Sequence, residues 1–494
     1  MQPACAERAA NAYDYLLATM TANLGKPSLG ASRQGVNPEG EGYTAYPALF
    51  SFPFASAARR LLGFDLAADL PPAALTQVWR YRSAVPLPRP LGGPGTRVVT
   101  GLHPDFSDDN PQVTLTGSLA MAFEWAPTTA LGGLRTLYDA AWGTGGDATF
   151  ESHRSGALFA FLRYPAHVPP ADPGTALGLT FYDPSYGFAS FRDGWGAASS
   201  LVQLSAKARP CYQCHQASDA AALRIFSEGF PWAVGAGRTP SAEGQTTTFP
   251  ADPVGFAAQT RDSGSAVAAP RLDNVTGEGG FAAAGSSTGV EGAVRRLAVS
   301  FDRAAAGGAS VVVVVADSGD NGSARFWRLN TPEFVLAEPV PAAELPAAAA
   351  AGFELRPSAA ARDDPALRRA LGWRVGAAGP SLRALLLYAD GAERGDVTLR
   401  TGTVPRGIPG DSHTEGYGFG ARVYPNNTWV DASVRGGADV GGWVWVLSVA
   451  AEGATHPAVE TVSAGRGGCC ASRVIRVGAL SYEVTATGVS PAAA

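Results

Sequence analysis

Residues 311–315 are five consecutive valines, and no other feature constrains the fold of this chain as tightly. β-Branched side chains favour extended backbone. An unbroken apolar run has no polar face, so it reads as a strand buried on both sides. Similar segments follow one another from about residue 201: 201–206, 223–226, 295–301, 310–316, 325–330, 382–388, 443–449 and 474–484. Each is rich in Val, Leu or aromatic residues and is bounded by Gly, Asp or Asn. Most of the gaps hold no helix of crossover length, so the sheets are expected to be antiparallel.

The first 165 or so residues read differently. Helical spacing marks 6–24, 54–62, 73–82, 116–125 and 129–142, with Pro- and Gly-rich loops between them, such as 86–95. The 60 Gly and 37 Pro keep long helices from dominating the chain. The Ala-rich stretch 341–351 reads as a linker or a surface helix. These readings give an α+β chain with segregated parts: a helical region first, then a large antiparallel β-sandwich region.

An apolar fraction of 46% supports a sizeable core, and a net charge of −5 excludes a generally basic nucleic-acid coat. No run of 18 apolar residues exists to span a membrane, and the charged start shows no signal peptide. Five cysteines, an odd number, do not make a disulfide framework. Sequons at Asn274, Asn321 and Asn426 lean towards a secreted or cell-surface protein.

Cys211-Tyr212-Gln213-Cys214-His215 spells C-x-x-C-H, the pattern of c-type haem attachment. All three methionines precede it and the next histidine is His413, so a later axial ligand is scarce. A redox or zinc role for the pair, or two free cysteines beside a loop, are the other readings.

A longer window gives a broader reading. His215, Asp219 and Leu223 to Phe226, followed by Gly229 and Trp232 to Gly237, resemble the H-x-H-x-D-x-x-S-F signature and V-D-x-G strand of the heparinase II/III-like polysaccharide lyases. Phe191-Arg192-Asp193-Gly194-Trp195 is similar to that family's Y-R-S-x-W segment. Glu39-Gly40-Glu41-Gly42-Tyr43-Thr44-Ala45-Tyr46 is similar to its E-G-x-x-Y-x-x-Y stretch, and Phe106-Ser107-Asp108-Asp109 to a later acidic loop. The resemblance covers roughly residues 35–335. It implies a partial α/α toroid over 1–172, a sheet domain over 173–400 and a β-rich support layer over 401–494. The toroid is shorter than the family's, which implies truncation at the N-terminus.

The resemblance also implies a chemistry, the β-elimination of uronic-acid glycans. The uronate carboxylate must be neutralised, a base must take the C5 proton and an acid must protonate the departing C4 oxygen. Carried over residue by residue, Tyr43 is the catalytic tyrosine, Tyr46 its fallback, and His215 the cleft histidine. Arg192, Asp219 and Arg224 are substrate-binding or structural. Arg192, Arg209, Arg224 and Arg238 form either a basic patch for an acidic polysaccharide or oligosaccharide, or a solvated edge.

Three departures matter. The second histidine of H-x-H is Ala217, and the aspartate of V-D-x-G is Gly235. Neither can coordinate zinc, so no zinc and no other cofactor is expected. The family's carboxylate-neutralising Asn-His pair lies upstream of the tyrosine, yet no histidine precedes His103. Losing such a donor costs about 10²–10³ in rate, so the expected lyase is weak or inactive. A non-catalytic carbohydrate-binding or cell-surface protein on the same scaffold is the alternative, and a c-type haem protein a third.

Overall fold

The computed structural model describes residues 3–25, 34–37, 40, 45–91, 99–102, 104–106, 120–142, 156–183, 186–205, 221–235, 246–249, 272–276, 279–285, 294–319, 326–332, 369–374, 379–389, 397–405, 426–434, 442–464, 473–485 and 489–492. An N-terminal helical region is followed by stacked antiparallel sheets, the α+β arrangement expected.

The helices are α1 (Pro3–Gly25), α2 (Ala45–Leu62), α3 (Leu66–Asp69), α4 (Pro71–Ser83), α5 (Ala122–Trp125), α6 (Leu131–Trp142), α7 (Gly156–Arg163) and α8 (Pro173–Leu177). Asp65 and Asp172 cap α3 and α8, accepting from the N–H groups of Ala67 and Gly174, each at 3.0 Å. Glu124 on α5 receives Arg59 from α2 at 2.6 Å and Arg163 from α7 at 2.8 Å, tying three helices to one carboxylate. Apolar clusters around Leu134, Tyr138 and Phe123, and around Phe52 and Trp125, fill the space between helices.

The Pro-rich stretch expected as a loop is partly a strand. β1 (Val85–Leu91) pairs antiparallel with β2 (Val99–Leu102). Pro86, Pro88 and Pro90 share one parity, so their missing N–H groups fall on one edge and leave the other free to pair. The stretch 341–351, the C-x-x-C-H motif and Cys469 and Cys470 lie outside the described residues.

The β region opens with a five-stranded meander: β3 (Thr180–Asp183), β4 (Phe188–Arg192), β5 (Leu201–Ser205), β6 (Ala222–Ser227) and β7 (Phe230–Ala233). Glu228 and Gly229 join β6 to β7 with φ of 54° and 79°, the two positive angles of a tight hairpin turn. β8 (Thr248–Phe249) follows. β9 (Leu272–Thr276), β10 (Gly279–Gly285), β11 (Val294–Ser300) and β12 (Ala309–Ser318) form one half of a seven-stranded sheet. After β13 (Phe326–Pro332), β14 (Arg369–Arg374) and β15 (Ser381–Ala389) belong to its other half. β16 (Val397–Pro405) and β17 (Asn426–Val434) join β13 and β8 in a four-stranded sheet. β18 (Gly442–Ala450) returns to the seven-stranded sheet, whose order is β14-β15-β18-β12-β11-β10-β9. β19 (Val459–Ala464), β20 (Arg473–Val477), β21 (Leu480–Val484) and β22 (Val489–Pro491) make a final sheet.

The valine run explains this layering. Val311, Val313 and Val315 point into a core shared with the five- and four-stranded sheets. Val312 and Val314 point into a second core closed by Ile475, Val477, Tyr482 and Val484 of the last sheet. β12 is thus the middle of three β layers, buried on both faces as its sequence demands. Trp327 and Trp445 stack in the first core at 4.0 Å and 15°.

Candidate functional site at the seam between helices and sheet

The meander presents its second face to the helical region. Phe181, Tyr186, Phe188 and Ala222 from the sheet pack there with Val36, Trp79 and Phe106. Three polar fastenings border this seam, each carried by an arginine.

Arg192 ends β4. Its Nη2 donates to the carbonyls of Arg82 at 2.7 Å and Ala84 at 2.6 Å, in the last turn and at the C-cap of α4. Its guanidinium also lies 4.2 Å from the centre of the Trp195 ring. Burial pushes Arg192 down to about 9, and neighbouring Asp193 partly offsets this. Arg82 reaches the opposite way, to the carbonyl of Leu177 and over the Phe181 ring at 4.9 Å.

Arg224, in the middle of β6, is fully buried. Its Nε donates to Asp105 Oδ1 at 3.0 Å and its Nη2 to the Asp105 carbonyl at 2.8 Å. Phe106 lies under the guanidinium at 4.6 Å. The same Asp105 Oδ1 accepts the Gly235 N–H at 2.8 Å, and the Gly235 carbonyl accepts Asn427 Nδ2 at 2.5 Å. One chain of contacts therefore runs from the helical side through β6 and β7 to β17. Gly235 is required here: a Cβ would stand 2.6 Å from the Asp105 carbonyl and 2.9 Å from Arg224 Cζ.

Arg295 on β11 pairs with Asp317 through both nitrogens at 2.8 Å. Its third nitrogen donates to Ala221 at 3.1 Å and Thr246 at 2.9 Å. Ala221 has φ of 55°, a conformation that costs an L-residue about 1–2 kcal/mol. It immediately precedes β6, so the chain that leaves His215 enters the sheet through a strained residue held by a buried guanidinium.

Of the residues singled out in the sequence, Tyr43, His215 and Asp219 lie outside the described residues. Tyr46 is the second residue of α2, with its side chain also outside them. Arg192 and Arg224 are described, and both guanidiniums are turned inward onto protein groups. The sequence reading passed over Asp105, one residue before the acidic loop it selected, because its partner is 119 residues away.

The fold family's structural zinc does not fit these residues. Gly235 stands where the sequence resemblance would put its carboxylate ligand, and the space beside it holds the Arg224 guanidinium, a cation that a dication would oppose. Among the described residues no cluster of three His, Cys, Asp or Glu could hold a metal. No described helix is long and apolar enough to cross a membrane.

Solved structures share this architecture. Heparinase III superposes with a TM-score of 0.57 at 13% identity, covering 96% of this chain and 62% of that one. The heparan sulfate lyase HepC from Pedobacter heparinus gives 0.54 at 12%, covering 97% and 61%. A second heparinase III, with methylated lysines, gives 0.57 at 10%, covering 94% and 59%. At such identities the likeness is one of fold. The chain spans about three fifths of the length of each of these proteins. No protein-family profile matches the chain, and no curated protein does.

Proposed function

We propose that this chain is a heparinase II/III-like polysaccharide lyase that cleaves an acidic, uronic-acid-containing glycan slowly, by β-elimination. One observation carries the reading. Val36 and Ala222 pack in the same seam cluster, seven residues before Tyr43 and seven after His215. The two segments that carry the proposed catalytic side chains thus start from one place, on the architecture of known lyases.

In this reading, loss of the C5 proton and of the C4–oxygen bond leaves a C4–C5 double bond. Tyr43, with Tyr46 as its fallback, protonates the departing oxygen. His215 acts on the sugar as base, since imidazole titrates near neutral pH. Asp219 supports His215. Arg192 and Arg224 position the walls of the seam, because their donors are engaged with protein acceptors. An extracellular substrate of this class and the three sequons support a secreted or cell-surface location.

The burial of Arg192 and Arg224 favours a second reading, a glycan-binding protein without turnover. Ultraviolet absorbance of the new double bond separates the two, with alginate, heparan sulfate and polygalacturonate as substrates. The lyase reading expects a rising signal that Tyr43→Phe and His215→Ala both abolish. A flat trace on all three substrates refutes it.

A further inference from the structure

Residues 157–162 of α7 read Ala-Leu-Phe-Ala-Phe-Leu, apolar on every side, a composition that suits a helix enclosed all round. This helix is covered on one side only. Phe159 packs against the cluster of Phe52 and Trp125, and Arg163, four residues on, reaches Glu124 from the same side. Leu158, Phe161 and Leu162, spaced i, i+3 and i+4, form a stripe turned away from it. They are 57%, 74% and 56% exposed. Three of the five large apolar side chains that stand exposed among the described residues thus sit on one short helix.

Positive charge flanks the stripe. Glu124 takes Arg59 and Arg163 on separate oxygens, which brings the end of α2 to the end of α7. Arg60, next along α2, is exposed, and Arg59 keeps 34% of its side chain in solvent. Burial lowers the Arg163 guanidinium from its usual range, and Arg60 and Arg59 lower it further against the pull of Glu124. Among the described residues, three guanidiniums against one carboxylate leave this corner two positive charges and short of anions.

We infer that this corner of the helical region docks on an anionic lipid surface. Leu158, Phe161 and Leu162 enter the apolar layer beneath the headgroups, and Arg59 and Arg60 meet the lipid anions. The apolar stripe and the charge select this occupant together. The open parts of the three side chains come to about 300–400 Å², against roughly 800 Å² per partner in a stable protein pair. A second copy placed on a two-fold axis brings the same arginines and no anions. An acidic polysaccharide suits the arginines but offers the leucines no hydrocarbon. A bilayer supplies anions above and hydrocarbon below, and it accepts protruding side chains without a matching groove. The chain carries −5 overall, so an anionic surface repels most of it and leaves this corner to face the lipid. The surface shares no residue with the seam, and it stands whether or not the chain turns over glycan.

Flotation of the full chain with sealed vesicles tests it. One set is phosphatidylcholine alone, and the other is phosphatidylcholine and phosphatidylserine in about a 3:1 ratio. The chain should float with the mixed vesicles and not with phosphatidylcholine, and less so as salt rises. Arg60→Gln should weaken binding about fivefold, the effect of one arginine at such a surface. Phe161→Ser should weaken it about tenfold or more. Without lipid, Phe161→Ser should leave the thermal midpoint unchanged, because the side chain stands in water. Equal flotation with both vesicles, no flotation with either, or variants that float like wild type would each overturn the surface. A lowered midpoint for Phe161→Ser would mean that protein already covers the stripe, and would overturn it too. So would a dimer on gel filtration that Phe161→Ser dissociates. Retention by heparan sulfate that Arg60→Gln loses and Phe161→Ser keeps, without flotation, would make the patch a polyanion site and refute the lipid.

Discussion

Replacing Asp105 with alanine tests whether the seam is held as described. The carboxylate takes two charge-assisted hydrogen bonds, from Arg224 at 3.0 Å and from the Gly235 N–H at 2.8 Å. Arg224 is fully buried, so without the Asp105 carboxylate its guanidinium loses its charged partner there, while contacts to backbone carbonyls and the Phe106 ring stay. Breaking a buried ion pair from one side costs about 3–5 kcal/mol. Arg224→Met strands the carboxylate instead and should lose a similar amount. The double variant Asp105→Leu, Arg224→Met leaves no buried charge, only the Gly235 N–H without its acceptor, a loss of about 1–3 kcal/mol. The double variant should therefore be more stable than either single one, the reverse of additivity. Urea unfolding followed by tryptophan fluorescence reads this as a midpoint drop on the order of 1 M for each single variant and a smaller one for the double. A single variant within about 0.5 kcal/mol of wild type, or losses that simply add, would show that the pair does not join the layers.

Two further predictions concern the β layers. Trp445→Ala removes one of two fully buried stacked indoles and should cost about 3–5 kcal/mol, measured as a loss of thermal midpoint; a shift within error would mean the first core is not packed this way. Tyr482 bridges the second core, and burial pushes its phenol up to about 12. An unfolded tyrosine ionises near 10, so this stabilisation is complete below pH 10 and is lost between pH 10 and 12, about 2–3 kcal/mol in all. Tyr13 and Tyr138 are raised by burial as well and steepen the same fall. Tyr482→Phe should make the decline of stability with alkaline pH shallower, and an unchanged slope would refute the assignment.

Much of the fold was legible because burial imposes short periods. The valine run, 443–449 and 382–388 each appear as a strand within two residues of the expected bounds, since each is covered on both faces. The stretch 474–484 was legible as β structure but not as two strands. Its hairpin turns at Gly478, where φ is 60°. β10 was not legible: Gly279–Gly285 is nearly all glycine and alanine, and its pairing with β11 supplies what side chains do not. β17 hid because Asp431, a buried charge on a strand, reads as a turn residue until its two arginines are known.

The candidate site was legible by residue type and not by environment. Arg192 and Arg224 stood out as cations in a plausible cleft segment. Whether a guanidinium faces a ligand or a carbonyl depends on partners more than a hundred residues away in sequence. Gly235 stood out only as the place where the family resemblance puts an aspartate. That arginine and Asp105 fill its place required the coordinates.

The position of β18 has a consequence for biosynthesis. Its residues 442–450 lie between β12 and β15, which are complete by residues 318 and 389. Until the ribosome has delivered β18, the valine strand has an open edge with unpaired backbone groups, the kind of template that recruits other chains. A nascent chain stopped near residue 440 would carry that edge indefinitely. Translation pauses or premature stops between the completion of β15 and the delivery of β18 should therefore yield aggregates rather than a shortened soluble protein.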